Sequence, residues 1–159
     1  GYLGEVVRPA IAKGADKADR DASSVTVCAV VICSVADDEE QARREVAGQL
    51  AFYCAPKAYG AVLERQGFAA AGETIREAFA AADHEAMIKA VPDAMIDSLA
   101  VAGTPAQVAQ QLRRYDGLLD HVIVYPPSFR LTPERCDELV EALLTHAAPS
   151  TDIPEGASV

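Results

Sequence analysis

The chain has 159 residues, half of them hydrophobic, and its 24 acidic residues outnumber the 14 basic ones, giving a formal charge of −10. This size and hydrophobicity predict one folded domain with a substantial core and argue against disorder over most of the length. Because the net charge is negative and Lys and Arg are not clustered, the sequence argues against binding to the phosphate backbone of a nucleic acid. We therefore expect no nucleic-acid partner.

No apolar run reaches the roughly 20 residues that a membrane-spanning helix needs, and no signal peptide is recognisable. The sequence therefore predicts a cytoplasmic protein with no membrane partner. Cys28, Cys33, Cys54 and Cys136 form neither a Cys-x-x-Cys pair nor a zinc-finger pattern. We interpret them as small hydrophobic residues in a reducing compartment, and we predict no metal site.

The first predicted element is a helix over residues 2–18, where apolar residues recur at helical spacing. Pro9 would destabilise a helix interior by about 3 kcal/mol, so we expect a kink or a late start near Arg8. A polar turn at residues 19–24 follows.

Two segments have the composition of buried strands. Val25–Val35 is almost continuously apolar and rich in β-branched residues, which predicts a strand buried on both faces, as in a parallel sheet or barrel. Leu118–Tyr125 is the second such segment. Two parallel strands do not make a complete sheet, so the fold class is α/β and the chain is interpreted as part of a larger fold.

A long helical region separates the two strands. Asp37 or Asp38 is expected to cap a helix that runs to about Tyr53, with an acidic first turn that suits the helix dipole. Alanine-rich segments then predict four short helices: Lys57–Gln66, Ala71–Ala82, His84–Val91 and Asp93–Leu99. A crossover needs only about a dozen residues. This longer excursion is therefore a candidate carrier of substrate contacts.

The last third of the chain contains two clear helix starts. After a short extended piece at residues 99–103, Thr104 and Pro105 predict a helix that ends near Asp116. Thr132 and Pro133 predict a final helix to about Ala147. We expect one domain over residues 1–148 and a disordered tail over residues 149–159.

The order and spacing of six segments resemble the C-terminal portion of luciferase-like monooxygenases, particularly deazaflavin-dependent oxidoreductases. The segments are V-R-P-A-I-A-K-G-A at Val7–Ala15, the strand that leads to A-D-D-E-E-Q-A-R at Ala36–Arg43, Q-L-A-F-Y at Gln49–Tyr53, A-Y-G-A-V-L-E-R-Q-G-F at Ala58–Phe68, A-V-A-G-T-P-A-Q-V at Ala100–Val108, and D-H-V-I-V-Y at Asp120–Tyr125. One turn departs from the family, which often has Gly-Arg-Asp-Pro where this chain has Asp19–Ala22.

The resemblance implies a (β/α)8 TIM barrel of which this chain supplies the last two parallel strands and the long helical excursion between them. It also implies an oxidoreductase that performs hydride transfer or oxygenation on a small-molecule substrate. Coenzyme F-420 is the favoured cofactor, and reduced FMN is the alternative. Most of the cofactor site is expected upstream of Gly1, so no catalytic residue is assigned and the fragment alone is expected to be inactive.

Four residues are candidates for ligand binding. Barrel enzymes carry their chemistry on loops after strand C-termini. Arg130 follows the second strand and could pair with an anionic group of the cofactor. The alternative is that Arg130 is an exposed surface residue without a role in binding. Tyr125 at the strand end, and Tyr53 and Tyr59 in the excursion, are candidates to line the substrate pocket. Core packing explains these tyrosines as well.

Other charged residues are interpreted as structural. Asp120 and His121 are adjacent on a strand, where side chains point to opposite faces, so they do not act on one proton. The acidic residues 37–40 suit a helix start better than a metal site. Two alternatives to the enzyme remain open: a non-catalytic α/β association module, and a barrel-remnant subunit that pairs with a partner. A homo-oligomer is compatible with either.

Overall fold

The computed structural model describes residues 2–147. The predicted tail and the domain boundary at residue 148 lie outside the described residues. A π-helical turn (Leu3–Val7) is followed by the elements α1 (Arg8–Lys17), β1 (Cys28–Val35), α2 (Glu39–Cys54), α3 (Gly60–Arg65), α4 (Ala69–Ala80), α5 (His84–Lys89), α6 (Asp93–Leu99), β2 (Ala100–Gly103), α7 (Pro105–Leu112), β3 (His121–Tyr125) and α8 (Pro133–His146).

The sheet formed by the described residues has three parallel strands in the order β2-β1-β3. Residues 32–35 of β1 pair with β2, and residues 28–32 pair with β3. The predicted α/β class with parallel strands is confirmed. The structure adds a third strand, β2, to the two that the sequence predicts, and the sheet is open within residues 2–147.

Each face of the sheet carries its own hydrophobic core, because the side chains of a strand alternate between faces. On one face, Val31, Cys33 and Val35 pack with Val101 of β2 and with residues of α7 and α8. On the other face, Ile32 packs against a core that α2 to α6 supply. Helices therefore flank the sheet on both sides, which explains why the second half of β1 has no solvent-exposed face.

The N-terminal half of β1 differs from its prediction. Val30 is 63% exposed, and Ile123, its register partner on β3, is 52% exposed. The prediction of burial on both faces is confirmed for Val31–Val35 but is wrong for Cys28–Val30. The physical reason is that the core formed by α2 to α6 reaches the sheet only at its C-terminal half, at Ile32 and β2.

The predicted starts of α2 and α8 are confirmed. The first helix does not start late: it is π-helical over Leu3–Val7 and α-helical from Arg8, so its hydrogen bonding changes just before Pro9, which has no N–H to donate. The side chain of Asp38 accepts a hydrogen bond from the backbone N–H of Glu40 (2.9 Å) and so caps α2. At α8 the side chain of Thr132 accepts from the backbone of residue 135.

The predicted excursion consists of four helices that pack around α2. Its core positions are fully buried large side chains: Leu63, Ile75, Met87 and Met95. At Gly72 the packing of α3 on α4 is tight, because an added Cβ would lie 2.7 Å from Cδ1 of Leu63. Among residues 2–147 no helix is long and apolar enough to cross a membrane.

Candidate functional site

The strand order locates a candidate site at the carboxyl ends of β1 and β3. The chain passes from β1 to β2 on one side and then to β3 on the other, so the strand order reverses at β1. In open α/β sheets, ligands bind in the crevice outside the carboxyl ends of the strands at such a reversal. The loop over residues 126–132 and the helix α2 border this crevice.

Aromatic side chains gather beside this crevice. The rings of Phe52 and Phe129 stack with centroids 5.0 Å apart, and the rings of Tyr53 and Tyr125 lie 6.3 Å apart. The ring of His84 lies 5.7 Å from that of Phe129. Phe52 remains 43% exposed, so part of its ring is open to solvent.

The ionisation of the Tyr53 hydroxyl is influenced by its neighbours, above all Tyr125. A hydrogen bond to Tyr125, followed by burial and by the nearby Tyr125 and Tyr59 hydroxyls, raises the pKa of Tyr53, while a hydrogen bond with Gln49 lowers it. The net effect keeps the Tyr53 hydroxyl protonated at neutral pH. Tyr53 can therefore donate or accept a hydrogen bond at a ligand oxygen without carrying charge.

Gln49 of α2 holds the loop that follows β3. Its side-chain oxygen accepts hydrogen bonds from the backbone N–H groups of Ser128 (2.8 Å) and Phe129 (3.0 Å). The residue is only 3% exposed. Because buried amides need partners, this single oxygen fixes where the loop lies against the helix.

One turn earlier on α2, Glu45 forms a buried ion pair with Arg135 of α8. Arg135 donates Nε to Oε1 (2.8 Å) and Nη2 to Oε2 (3.1 Å) of Glu45, and Nη2 also reaches the carbonyl of Val35 (2.9 Å). The Ser34 hydroxyl donates to Glu45 Oε2 at 2.5 Å. Glu45 is 7% exposed.

The protonation of this ion pair follows from its partners. Burial raises the pKa of Glu45, but the hydrogen bonds from Arg135, Ser34 and Gln41 together outweigh burial and hold that pKa below its usual value. Hydrogen bonding to Glu45, opposed by burial, raises the pKa of Arg135. Both groups are therefore charged at neutral pH, and the pair joins the end of β1 to the start of α8.

The structure places the four sequence-predicted site residues on the same side of the sheet as α2 or in the loop after β3. Tyr53 and Tyr125 are in contact, and Tyr59, in a 3-10 turn, is near enough to influence Tyr53 while remaining 43% exposed. Arg130 is exposed and has a φ of +60°, in the same loop as Phe129.

Sequence reasoning missed Glu45, Gln49 and Arg135. A signal was present for the first two, because the apolar face of α2 contains Ala42, Val46 and Leu50, and positions 45 and 49 belong to the same face. Polar residues inside a buried helical face require partners. Nothing in the local sequence identifies Arg135 as the partner, since it lies 90 residues further along the chain.

The opposite face of the sheet contains a separate cavity of about 750 Å³ between α7, β3 and α8, and His121 and His146 contribute to its lining. The carboxylate of Asp120 accepts from the backbone N–H of Val27 (2.7 Å) and lies 3.7 Å from Arg8. Asp120 is thus tied to backbone and to Arg8. Over residues 2–147, His, Cys, Asp and Glu side chains form no group of three that could hold a metal ion.

Comparison with known proteins matches residues 2–121 to the model of the luciferase-like monooxygenase domain. Uncharacterized proteins from Mycobacterium bovis and Mycobacterium tuberculosis are each 34% identical over 139 residues, which are 85% of this chain and 40% of the relative. The chain also resembles the structure of the coenzyme F-420-dependent tetrahydromethanopterin reductase from Methanopyrus kandleri. That match has a TM-score of 0.70 and 27% identity over 89% of this chain and 40% of the reductase.

These matches establish the family. The family model covers more than half of the chain, so the chain belongs to the luciferase-like monooxygenases, a family of oxidoreductases, as its sequence segments predict. The chain spans about 40% of the length of the curated relatives and of the solved structure that it matches.

Proposed function

Because the chain belongs to this family, we propose that it forms part of an oxidoreductase that uses coenzyme F-420, with reduced FMN as the alternative, to act on a small-molecule substrate by hydride transfer or oxygenation. The observation that supports this most directly is the likeness to an F-420-dependent reductase over 89% of the chain. The cofactor supplies the hydride or the reaction with oxygen. The chain supplies binding and orientation.

The residues at the carboxyl ends of β1 and β3 fit part of such a cofactor. Stacked Phe52 and Phe129 offer an aromatic surface that suits a flat ring system. Tyr53 offers a neutral hydroxyl to a ring or substrate oxygen, and Tyr125 and Tyr59 extend this wall. Arg130 is the cation assigned to a phosphate or to the acidic end of F-420.

Arg130 alone would supply only a small part of the contacts that a phosphate group needs. The backbone N–H groups of Ser128 and Phe129, which could otherwise bind an anion, are already taken by Gln49. The chain matches about 40% of the reductase. The remaining cofactor contacts of the proposed enzyme therefore correspond to the part of the reductase that this chain does not match. The proposed location is the cytoplasm.

The experiment is a titration of the proposed enzyme, of which this chain forms part, with F-420 and with FMN, each oxidised and reduced. Cofactor fluorescence and calorimetry report the binding. We expect saturable binding, and we expect Arg130→Ala to weaken it about tenfold because one charge-assisted contact is lost. Arg20→Ala is the matched control, since Arg20 is also exposed but lies in the turn before β1. Lack of binding of either cofactor at micromolar concentrations would refute the proposal.

One observation favours a second candidate, a non-catalytic association module. Large apolar side chains are exposed on β1, β3 and α8, with Leu144 the most open at 73%. Such patches mark interaction surfaces. If the chain binds neither cofactor but forms a stable complex that Leu144→Lys disrupts, as judged by analytical ultracentrifugation, the association module replaces the enzyme.

A further inference from the structure

We propose that Gln49 is the positioning residue of the candidate site, which fixes the loop after β3 before a ligand binds. This inference rests on the proposed function, because it assigns a role at the same crevice. It adds a residue that touches neither the cofactor nor the substrate and that acts through Phe129 and Tyr53.

The first step of the argument concerns the donors of the loop. After Tyr125 the chain continues with Pro126 and Pro127, which have no backbone N–H. The first two amides that the loop can offer are therefore those of Ser128 and Phe129. Gln49 accepts both of them with one oxygen. Of the hydrogen bonds found in the described residues, these two tie the loop to α2.

The second step concerns what the loop carries. The ring of Phe129 stacks on that of Phe52. The next residue, Arg130, has a backbone φ of +60°, which residues other than glycine rarely adopt without support from their surroundings. With the two amides held, Phe129 has a fixed position from which the chain turns to Arg130. Without Gln49 both amides lose their partner, and the loop is free to move away from α2.

The third step concerns the other wall of the crevice. Gln49 also lowers the pKa of Tyr53, whose ring lies 6.3 Å from that of Tyr125. Its oxygen holds the loop, while its side chain acts on the ionisation of Tyr53. The residue therefore links the loop to Tyr53, and its 3% exposure leaves it little freedom to adopt another conformation. A ligand that contacts both walls benefits from this order, because fewer groups need to be immobilised on binding.

The test uses the proposed enzyme, of which this chain forms part, with three variants. Gln49→Leu removes both functions of the side chain, whereas Gln49→Glu keeps an oxygen that accepts from the two amides. Gln111→Leu is the matched control: Gln111 bonds both backbone groups of Ala102 from α7, so its loss also leaves backbone groups unpaired but away from the crevice.

Two readouts need no ligand. By amide hydrogen exchange, we expect the N–H groups of Ser128 and Phe129 to exchange about tenfold faster in Gln49→Leu, to regain protection in Gln49→Glu and to be unaffected in Gln111→Leu. By tyrosinate absorbance, we expect Tyr53 to ionise at a higher pH in Gln49→Leu, since Gln49 lowers that pKa. Gln49→Glu should not restore this second property, because a carboxylate near Tyr53 disfavours its ionised form.

The third readout is cofactor affinity. We expect about tenfold weaker binding in Gln49→Leu, recovery in Gln49→Glu, and a change below about twofold in Gln111→Leu. Unchanged exchange of the two amides in Gln49→Leu would overturn the inference whether or not a cofactor binds. Faster exchange with unchanged affinity would overturn the positioning role and leave a structural bond. If the wild type binds neither cofactor, the proposed function fails and the role of Gln49 fails with it.

Discussion

Replacement of Arg135 by methionine tests the energetics of the buried ion pair most directly. Methionine retains much of the length and apolar character of the arginine side chain but removes its charge and its donors. The carboxylate of Glu45, with a side chain that is 6% exposed, is then left without a cation. Removal of one partner from a buried ion pair costs about 3–5 kcal/mol, because an uncompensated charge remains.

The surroundings of Glu45 place the expected loss within that range. Ser34 and Gln41 still donate to the carboxylate in the variant and offset part of the lost solvation. The contact between Arg135 and Glu138 adds little, because the Glu138 side chain is 66% exposed. We therefore expect Arg135→Met to lower the free energy of unfolding by about 3 kcal/mol at neutral pH.

The pH dependence gives an independent check. In the wild type the pKa of Glu45 is below its usual value, so this carboxyl stabilises the fold above the unfolded pKa of about 4.3, and the contribution is lost as the pH falls through the folded pKa. Without Arg135, the effect of burial on the pKa is less opposed, and the pKa rises. The difference in stability between wild type and variant should therefore shrink as the pH is lowered.

Urea unfolding followed by far-UV circular dichroism measures these differences. Glu138→Gln is the control, with an expected loss below about 1 kcal/mol. The double variant Glu45→Gln/Arg135→Met should be more stable than Arg135→Met alone, because no buried charge is left unpaired. A loss for Arg135→Met no greater than that for Glu138→Gln, or one that does not change with pH, would refute the assignment of a buried charged pair.

Three further outcomes follow from local geometry. Gly72→Ala should lower the free energy of unfolding by about 1–3 kcal/mol, because the new Cβ would press against the buried Leu63, and a thermal melt equal to that of wild type would contradict this. Asp38→Ala should cost about 1 kcal/mol in urea unfolding, with Asp38→Asn closer to wild type, since the side chain caps α2. The exposed Cys28 should react with a thiol reagent in the folded protein. Cys33, where burial raises the pKa of the thiol to about 12, should react only on unfolding. Mass spectrometry of the labelled peptides distinguishes these results.

The sequence predicted the helices and the two longer strands because those segments carry strong local signals. The cap at Asp38 and the Thr-Pro starts of α7 and α8 are determined by residues next to each other in the chain. The strand β2 was expected only as an extended piece, since Ala100–Gly103 contains a single β-branched residue. Its four residues are buried and form a strand because β1 offers an unpaired edge, which is a tertiary effect.

The candidate site could be predicted only in part for a related reason. Tyr125 and Arg130 were identifiable from their position after a strand, and Tyr53 from its place in the helical region. The partners that hold them were not, because each contact joins residues far apart in the chain: Gln49 and Ser128 are 79 positions apart. A helical pattern shows that position 49 faces inward, but it does not show what lies there.

The helix α2 connects the stability of the fold to the geometry of the site. Its apolar positions Ala42, Val46 and Leu50 form the core, while Glu45 and Gln49 on the same face hold α8 and the loop after β3. An apolar residue at either polar position would extend the core but would leave buried donors without acceptors. The two polar residues are therefore best explained by what they hold at the carboxyl ends of the strands, because the core alone does not require them.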